Sequence, residues 1–335
     1  MKRGRLTPVY ALGHFLMDFA CAFLIFRRMP GDGSWHLALL YYNFCAFALQ
    51  MPLGLLLDRF GRQGPVPAAA GCVLGAMAFI PGLSPTALCV CAGLGNALFH
   101  VGGGVAVLGA HPQKAGPLGL FVSPGAMGIF LGTLWGKAGR LPPALPLAGL
   151  LLSALVIALL CPGGQPRRTG RVSLGGRGAA CLLCLFLVVC LRSALGFLFT
   201  FPWKSGLCAV LFACCVVLGK TGGGYLADRL GLRRAACLSL GLAALLFLWA
   251  EQPLAGLAAV LLFNMSMPMT LRGAAALLPE APGFSFGLLT FALFLGYAPS
   301  WLGRFGGIAG NVWVCAMGTA LSLGLLLPCF GRREA

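Results

Sequence analysis

Apolar runs of about 17 to 25 residues follow one another along the whole chain, separated by short polar or Gly/Pro-rich turns. A helix of that length crosses a hydrocarbon core about 30 Å thick and satisfies its own backbone hydrogen bonds. The alternation of period two that a barrel strand needs is absent. The pattern therefore predicts twelve helical spans, at about 8–28, 36–57, 66–83, 85–109, 116–136, 143–161, 179–200, 206–227, 235–250, 253–271, 283–303 and 308–328. The ninth is the shortest, ending near Trp249 and Glu251. Without it the even count and the internal symmetry are lost.

That symmetry is carried by a repeated polar turn. Gly54-Leu-Leu-Leu-Asp58-Arg59-Phe-Gly61-Arg62-Gln63 returns 170 residues later as Gly224-Tyr-Leu-Ala-Asp228-Arg229-Leu-Gly231-Leu-Arg233, each copy at the end of an apolar run. Gly119, Gly128 and Asn96 have counterparts at an offset of 168 in Gly287, Gly296 and Asn264. Matching landmarks at nearly one offset indicate two parallel repeats of six helices. The segment 162–178, rich in Gly and Arg and poor in large apolar residues, is expected to link an N-terminal bundle (1–161) to a C-terminal bundle (179–335).

Composition fixes the solvent. With 59% hydrophobic and 9% charged residues and a mean hydropathy of +0.92, the chain has too much apolar surface for a water-soluble fold. In a soluble protein the net charge of +17 would suggest nucleic acid. Here Lys and Arg fall mainly in the short loops, so no nucleic-acid partner is expected. Only Arg27, Arg28, Lys137, Arg140, Lys204 and Arg304 lie opposite the N-terminus, six against sixteen on its own side, with Arg192 and Lys220 within spans. That bias predicts a multi-pass protein of the bacterial cell membrane with both termini in the cytoplasm. The opening Met-Lys-Arg-Gly-Arg resembles a signal peptide. The segment after it carries His14 and Asp18 and no small-x-small cleavage site, so it is read as the first span.

The fifteen cysteines sit inside apolar runs without an accompanying His or carboxylate cluster, the closest being Cys181 with Cys184, Cys89 with Cys91, and Cys214 with Cys215. They read as small buried hydrophobes, with no metal ligand set or disulfide framework among them and no cofactor implied. Gly219-Lys-Thr221 lacks the upstream glycine of a phosphate-binding loop, so nucleotide-driven transport by this chain is not supported.

The two Asp-Arg turns resemble the signature loop of the major facilitator superfamily, Gly-x-Leu-Ala-Asp-Arg-x-Gly-Arg-Lys between helices 2 and 3, with Leu57 for Ala and Gln63 for Lys. The likeness extends over the whole chain through the twelve spans and the basic central linker. It implies an all-α membrane fold of two pseudo-symmetric six-helix bundles. It also implies a conformational gate at Gly54, Asp58, Arg59, Gly61, Arg62, Gly224, Asp228, Arg229, Gly231 and Arg233. There the two carboxylates brace helix contacts while the arginines pair with helix ends or lipid phosphates. A solvated tight turn is the plainer reading. His14-Phe-Leu-Met-Asp18 and Ala97-Leu-Phe-His100 are similar to fosmidomycin-resistance-like bacterial members. Gly119, Gly128, Gly132 and Gly136 resemble the antiporter signature of helix 5, although Thr133 replaces its Pro and Lys137 its last Gly. Spaced by four, the last three also read as a close-packing stripe.

Ionisable groups within spans are costly in hydrocarbon, so the few that remain are the functional candidates. His14 and Asp18, four apart on helix 1, share a face about 6 Å apart along the axis. They serve either as a proton relay or as a mutually satisfied polar pair. Asn96 and His100 repeat the spacing on helix 4. By the resemblance, helices 1, 4, 7 and 10 line the central cavity. Asn264, Ser266, Thr270 and Pro268 give helix 10 a polar, partly unwound face. Arg192, deep in helix 7, either neutralises Asp18 or binds an anionic substrate. Lys220, two turns before Asp228, is a secondary candidate able to snorkel to the membrane edge.

Two intramembrane cations against one carboxylate suit an anionic solute. The chain is thus expected to be a monomeric secondary transporter in a lipid bilayer, moving a small solute with protons, export being favoured. A transporter-like sensor without flux is the alternative. A polytopic membrane enzyme fits less well, because the chain has only seven acidic residues and two of them belong to the repeated turns.

Overall fold

The computed structural model describes residues 6–28, 35–61, 64–161, 174–301 and 307–331, and among these it contains helices and no strand. Twelve rods follow one another where the apolar runs predict them. The first is α1 (Leu6–Arg28). The second joins α2 (Trp35–Asn43), a π-helical turn (Phe44–Ala48) and α3 (Gln50–Phe60). The third and fourth are α4 (Pro65–Met77) and α5 (Pro85–Ala110). The fifth joins α6 (Gly116–Val122) to α7 (Pro124–Ala138), and the sixth is α8 (Ala144–Leu160). The seventh to ninth are α9 (Gly176–Leu198), α10 (Gly206–Leu230) and α11 (Leu232–Phe247). The tenth joins α12 (Pro253–Asn264) to α13 (Ser266–Leu277), and α14 (Pro282–Trp301) and α15 (Val312–Leu326) complete the set. Eight rods are long and apolar enough to cross a membrane. The ninth rod, the least marked in the sequence, is a helix of 16 residues. Of the expected linker, residues 162–173 lie outside the described residues, and α9 begins at Gly176, inside its predicted end.

Proline and glycine set the breaks. Pro124 has no N–H to give the carbonyl of Leu120, and the hydroxyl of Ser123 donates to that carbonyl instead at 3.3 Å. Pro268 likewise leaves the carbonyl of Asn264 without its helical donor, at the point where the tenth rod divides. Gly61 ends α3 in the left-handed region (φ 62°, ψ 13°), which a side chain would disfavour.

Two compact units result, and both are discontinuous in sequence. One holds the described residues of Met1–Pro112, Pro124–Arg171 and Glu280–Phe291; the other holds those of Gln113–Ser123, Val172–Pro279 and Ala292–Ala335. In the first, α1 packs on α5, α7 and α8, and α4 on α5 and α8. Gly128, Gly132 and Gly136 of α7 lie against the α1 backbone at Phe15, Phe19 and Phe23 with no room for a Cβ. The glycine stripe of the fifth rod is therefore a helix-packing seam. In the second, α11 packs on α12 and α15, and α10 on α6 and α12. The rings of Phe199, Phe247 and Phe263 meet there at centroid distances of 5.0 to 5.9 Å.

The duplication is visible in these seams. Gly128 meets the Phe15 carbonyl of the first rod, and its counterpart Gly296 meets the Cys190 carbonyl of the seventh. Gly119 meets the Lys220 carbonyl of the eighth rod, and Gly287 the Gln50 carbonyl of the second. Each glycine matched in sequence thus packs on a rod that is matched in order.

Candidate functional site

Inside the first unit, α1 and α5 bring four polar side chains together. The helical period of about 3.6 residues stacks His14 over Asp18 on one face of α1, and the Nε2 of His14 lies 3.1 Å from Oδ2 of Asp18. From α5, His100 places its Nε2 2.8 Å from Nε2 of His14 and 3.9 Å from Oδ1 of Asp18. All three side chains are buried, as is Asn96. Sequence spacing indicates each helical pair. It does not indicate that the pairs converge, since 86 residues separate the two imidazoles.

Asn96 orders this cluster twice. Its side-chain amide donates to Oδ1 of Asp18 at 2.8 Å, and its backbone carbonyl lies 2.8 Å from Nδ1 of His100. A carbonyl only accepts, so Nδ1 of His100 carries a proton, and in the neutral ring Nε2 presents its lone pair to the cluster. His14 then supplies the one proton lying between the two Nε2 atoms, within reach also of the carboxylate. The same carboxylate, amide and imidazoles are thus joined in a single network whose proton positions are interdependent.

Two neighbours of the cluster have little sequence signal. Tyr42, one of five tyrosines, places its hydroxyl 3.4 Å from Nδ2 of Asn96. Gly125, directly after the Pro124 break, packs closely on one face of the cluster. A Cβ at that position would strike Nε2 of His14 and Oδ2 of Asp18. The ring of Phe99 stands edge-on to His100 at 5.6 Å and closes another side.

In the second unit, Arg192 is buried on α9, and its Nη1 donates to the Thr270 hydroxyl of α13 at 3.3 Å. No described carboxylate of that unit lies within the 4 Å of an ion pair with it. Asn264, at the break of the tenth rod, donates its side-chain amide to the carbonyl of Val260 at 2.8 Å, satisfying its own helix. Lys220 is half-buried, with Nζ 3.4 Å from the carbonyl of Val122, and so is held by a neighbouring backbone rather than extended along the lipid.

The paired turns cap helices. Within the first unit the carboxylate of Asp58 accepts from the backbone N–H groups of Gly283 and Phe284, at 2.9 and 2.7 Å. Within the second, Asp228 accepts from Ala115 and Gly116 at 2.7 and 2.9 Å. The capped positions are again 168 residues apart. Gly54 and Gly224, one turn before each carboxylate, let the capped backbone approach where a Cβ would collide. Gly61 and Gly231 both hold positive φ at the turn itself. Arg233 reaches the end of α15, donating to the carbonyls of Leu327 and Phe330 at 3.0 and 3.4 Å. Arg59 and Arg229 are exposed, and Arg62 lies outside the described residues.

Metal ligation is a possibility that residue spacing alone does not display. The sequence reading looks to the cysteines, of which only Cys237 is exposed, and sees no ligand set. The fold instead gathers the donor atoms of His14, Asp18 and His100 within 4.8 Å of one another, a group able to hold an ion.

No family model and no curated protein matches this sequence. Solved structures do match its fold. The fucose:proton symporter FucP of E. coli superposes with a TM-score of 0.75 at 13% identity, covering 97% of this chain and 98% of that one. A bacterial homologue of the iron transporter ferroportin, in an outward-facing state with soaked iron, does so with a TM-score of 0.65 at 18% identity, covering 98% and 99%. The chain has the major facilitator fold.

Proposed function

We propose that this chain is a secondary active transporter of the cell membrane, working by alternating access and coupled to protons at the cluster of His14, Asp18 and His100. The observation that carries this reading is the cluster itself. A carboxylate and two imidazoles sharing protons in the buried interior of a twelve-rod apolar fold are costly to keep there without a use. Imidazole and carboxylate can each take up or give up a proton, and proton gain or loss at one member changes the hydrogen bonds of every other. The fucose:proton symporter among the structural neighbours supports proton coupling. The iron-transporter homologue supports transport without narrowing the solute.

The solute is a small organic anion, bound with the help of Arg192, whose guanidinium has a hydroxyl and no carboxylate as its partner among the described residues of its own unit. Asn96, His100 and Asn264 supply further polar contacts. The caps made by Asp58 and Asp228 serve as gate contacts, each broken and remade as the cycle proceeds, with Arg233 fixing one helix end nearby. Export follows from the likeness of the helix 1 and helix 4 strings to fosmidomycin-resistance proteins. Both termini and the basic linker lie in the cytoplasm on the charge bias of the loops, and the working unit is a monomer of two six-helix halves, 1–161 and 179–335.

A thermal-shift screen of the purified protein against phosphonates, carboxylates, sugars and hydrophobic drugs tests this reading. Anionic compounds should stabilise it. In proteoliposomes the same compounds should dissipate an imposed pH gradient. Stabilising compounds that move no protons would refute proton coupling.

A further inference from the structure

We propose that His14, Asp18 and His100 form a binding site for a divalent transition-metal ion, ligated by two imidazole nitrogens and one carboxylate oxygen. Around an ion with bonds of about 2.1 Å, neighbouring ligand atoms lie about 3.0 Å apart in octahedral geometry and slightly farther in tetrahedral geometry. The two Nε2 atoms are 2.8 Å apart, and Nε2 of His14 is 3.1 Å from the nearer carboxylate oxygen of Asp18. The third pair is wider, with Nε2 of His100 3.9 Å from Oδ1 of Asp18, so side-chain adjustments of about 0.5 to 0.9 Å there bring all three donors onto one ion.

The ligands are also prepared for it. His100 has its Nδ1 proton committed to the Asn96 carbonyl, which leaves Nε2 as the donor atom facing the cluster. The Asn96 side chain holds Oδ1 of Asp18, leaving Oδ2 to face His14. One residue thus orients both an imidazole and the carboxylate, the kind of outer support that metal ligands require. Gly125 packs directly on this pair: a Cβ there would collide with Nε2 of His14 and Oδ2 of Asp18, so the glycine is what lets these two donor atoms keep their places.

Two imidazoles and a carboxylate select for Mn²⁺, Fe²⁺, Co²⁺ or Zn²⁺ over the harder Mg²⁺ and Ca²⁺, which prefer all-oxygen sites, and over thiolate-seeking Cu⁺. The ion occupies the place of the proton shared between His14 and His100, so the two exclude one another. Binding rests on the geometry of the cluster alone; a part for the ion in transport, as competitor of the coupling proton, rests on the reading of the preceding section.

Co²⁺ titrated into the chelator-stripped, full-length protein in detergent tests the site, because its visible spectrum separates imidazole and carboxylate ligation from thiolate ligation by the fifteen cysteines. One Co²⁺ per chain is expected, with ligand-field bands and no sulfur charge-transfer band. Affinity should fall at least about tenfold in His100→Gln and in Asp18→Asn and stay unchanged in Arg192→Gln. X-ray absorption of the wild-type complex should show imidazole scattering, a readout independent of whether any variant folds. No saturable binding, thiolate bands, or imidazole-free scattering would overturn the site. Flux is a separate matter: a protein that binds Co²⁺ and moves no solute keeps the site and loses the transporter reading. One that moves solute and binds no Co²⁺ loses the site alone.

Discussion

The carboxylate of Asp58 accepts a hydrogen bond from the backbone N–H of Gly283 at 2.9 Å, across 225 residues of sequence. Asp228 makes the equivalent bond to Ala115 at 2.7 Å. In both cases a carboxylate meets the first turn of a helix, where unpaired N–H groups and the helix dipole favour negative charge. The two copies nevertheless differ in environment. Asp58 is 1% exposed, whereas Asp228 is exposed to solvent.

That difference predicts unequal costs. In Asp58→Asn two charge-assisted bonds weaken in a buried site, for a loss of about 2 to 3 kcal/mol. In Asp228→Asn water replaces much of what is lost, and the cost should be about 1 kcal/mol or less. Thermal unfolding of both variants in one detergent measures the order. Equal shifts, or a larger one for Asp228→Asn, would mean that burial does not set the worth of these caps.

Gly132 carries a second prediction. It lies against the carbonyl of Phe19 and the side chain of Ala22 on α1, so a larger residue must push α1 from α7. Gly132→Leu should destabilise the protein by about 3 kcal/mol or more, seen as loss of a monodisperse peak on size exclusion. Leu134→Ala on the exposed side of the same helix should leave that peak unchanged.

Much of this architecture was legible in the sequence because its causes are local or repeated. Apolar run length gives the rods, Pro and Gly give their ends, and the Asp-Arg turn recurs at a fixed offset. In sequence Gly128, Gly132 and Gly136 read equally as a transport signature and as a packing stripe, and the contacts with α1 decide for packing. What stayed hidden depends on side chains brought together from distant rods. His14 with Asp18 and Asn96 with His100 each stand out by spacing, yet nothing in the spacing says that Asn96 holds Asp18. Tyr42 and Gly125 give no sequence signal for the same reason: one is the second of two adjacent tyrosines in an apolar run, and the other is a glycine whose meaning lies in how closely it packs on the cluster.

Arg192 offers a test of the solute's charge. Within its unit the guanidinium has only the Thr270 hydroxyl among its hydrogen-bond partners in the described residues. Losing a charge-assisted contact to an anion costs about 1.5 to 3 kcal/mol, or about ten- to a hundredfold in affinity. Arg192→Gln should weaken anion binding by that factor in isothermal titration, and Arg192→Lys should recover part of it by restoring the charge without the planar fork. Unchanged affinity in Arg192→Gln would assign this residue to structure alone.

Asp18 is the residue on which proton coupling turns, since it bonds to both His14 and Asn96 and stands 3.9 Å from His100. Asparagine keeps its size and one acceptor oxygen but neither gains nor loses a proton. If the carboxylate carries the coupling proton, Asp18→Asn proteoliposomes should lose accumulation driven by a pH gradient. They should retain exchange of labelled for unlabelled solute, because exchange needs the binding site and its movement but no net proton transfer. A purely structural pair predicts another outcome, in which exchange and accumulation fall together in proportion to the folded protein recovered. Asn96→Ala separates the two further: with the carboxylate still present but unsupported, accumulation should persist at a reduced rate and with a displaced pH optimum. Normal accumulation by Asp18→Asn would remove this cluster from the coupling mechanism.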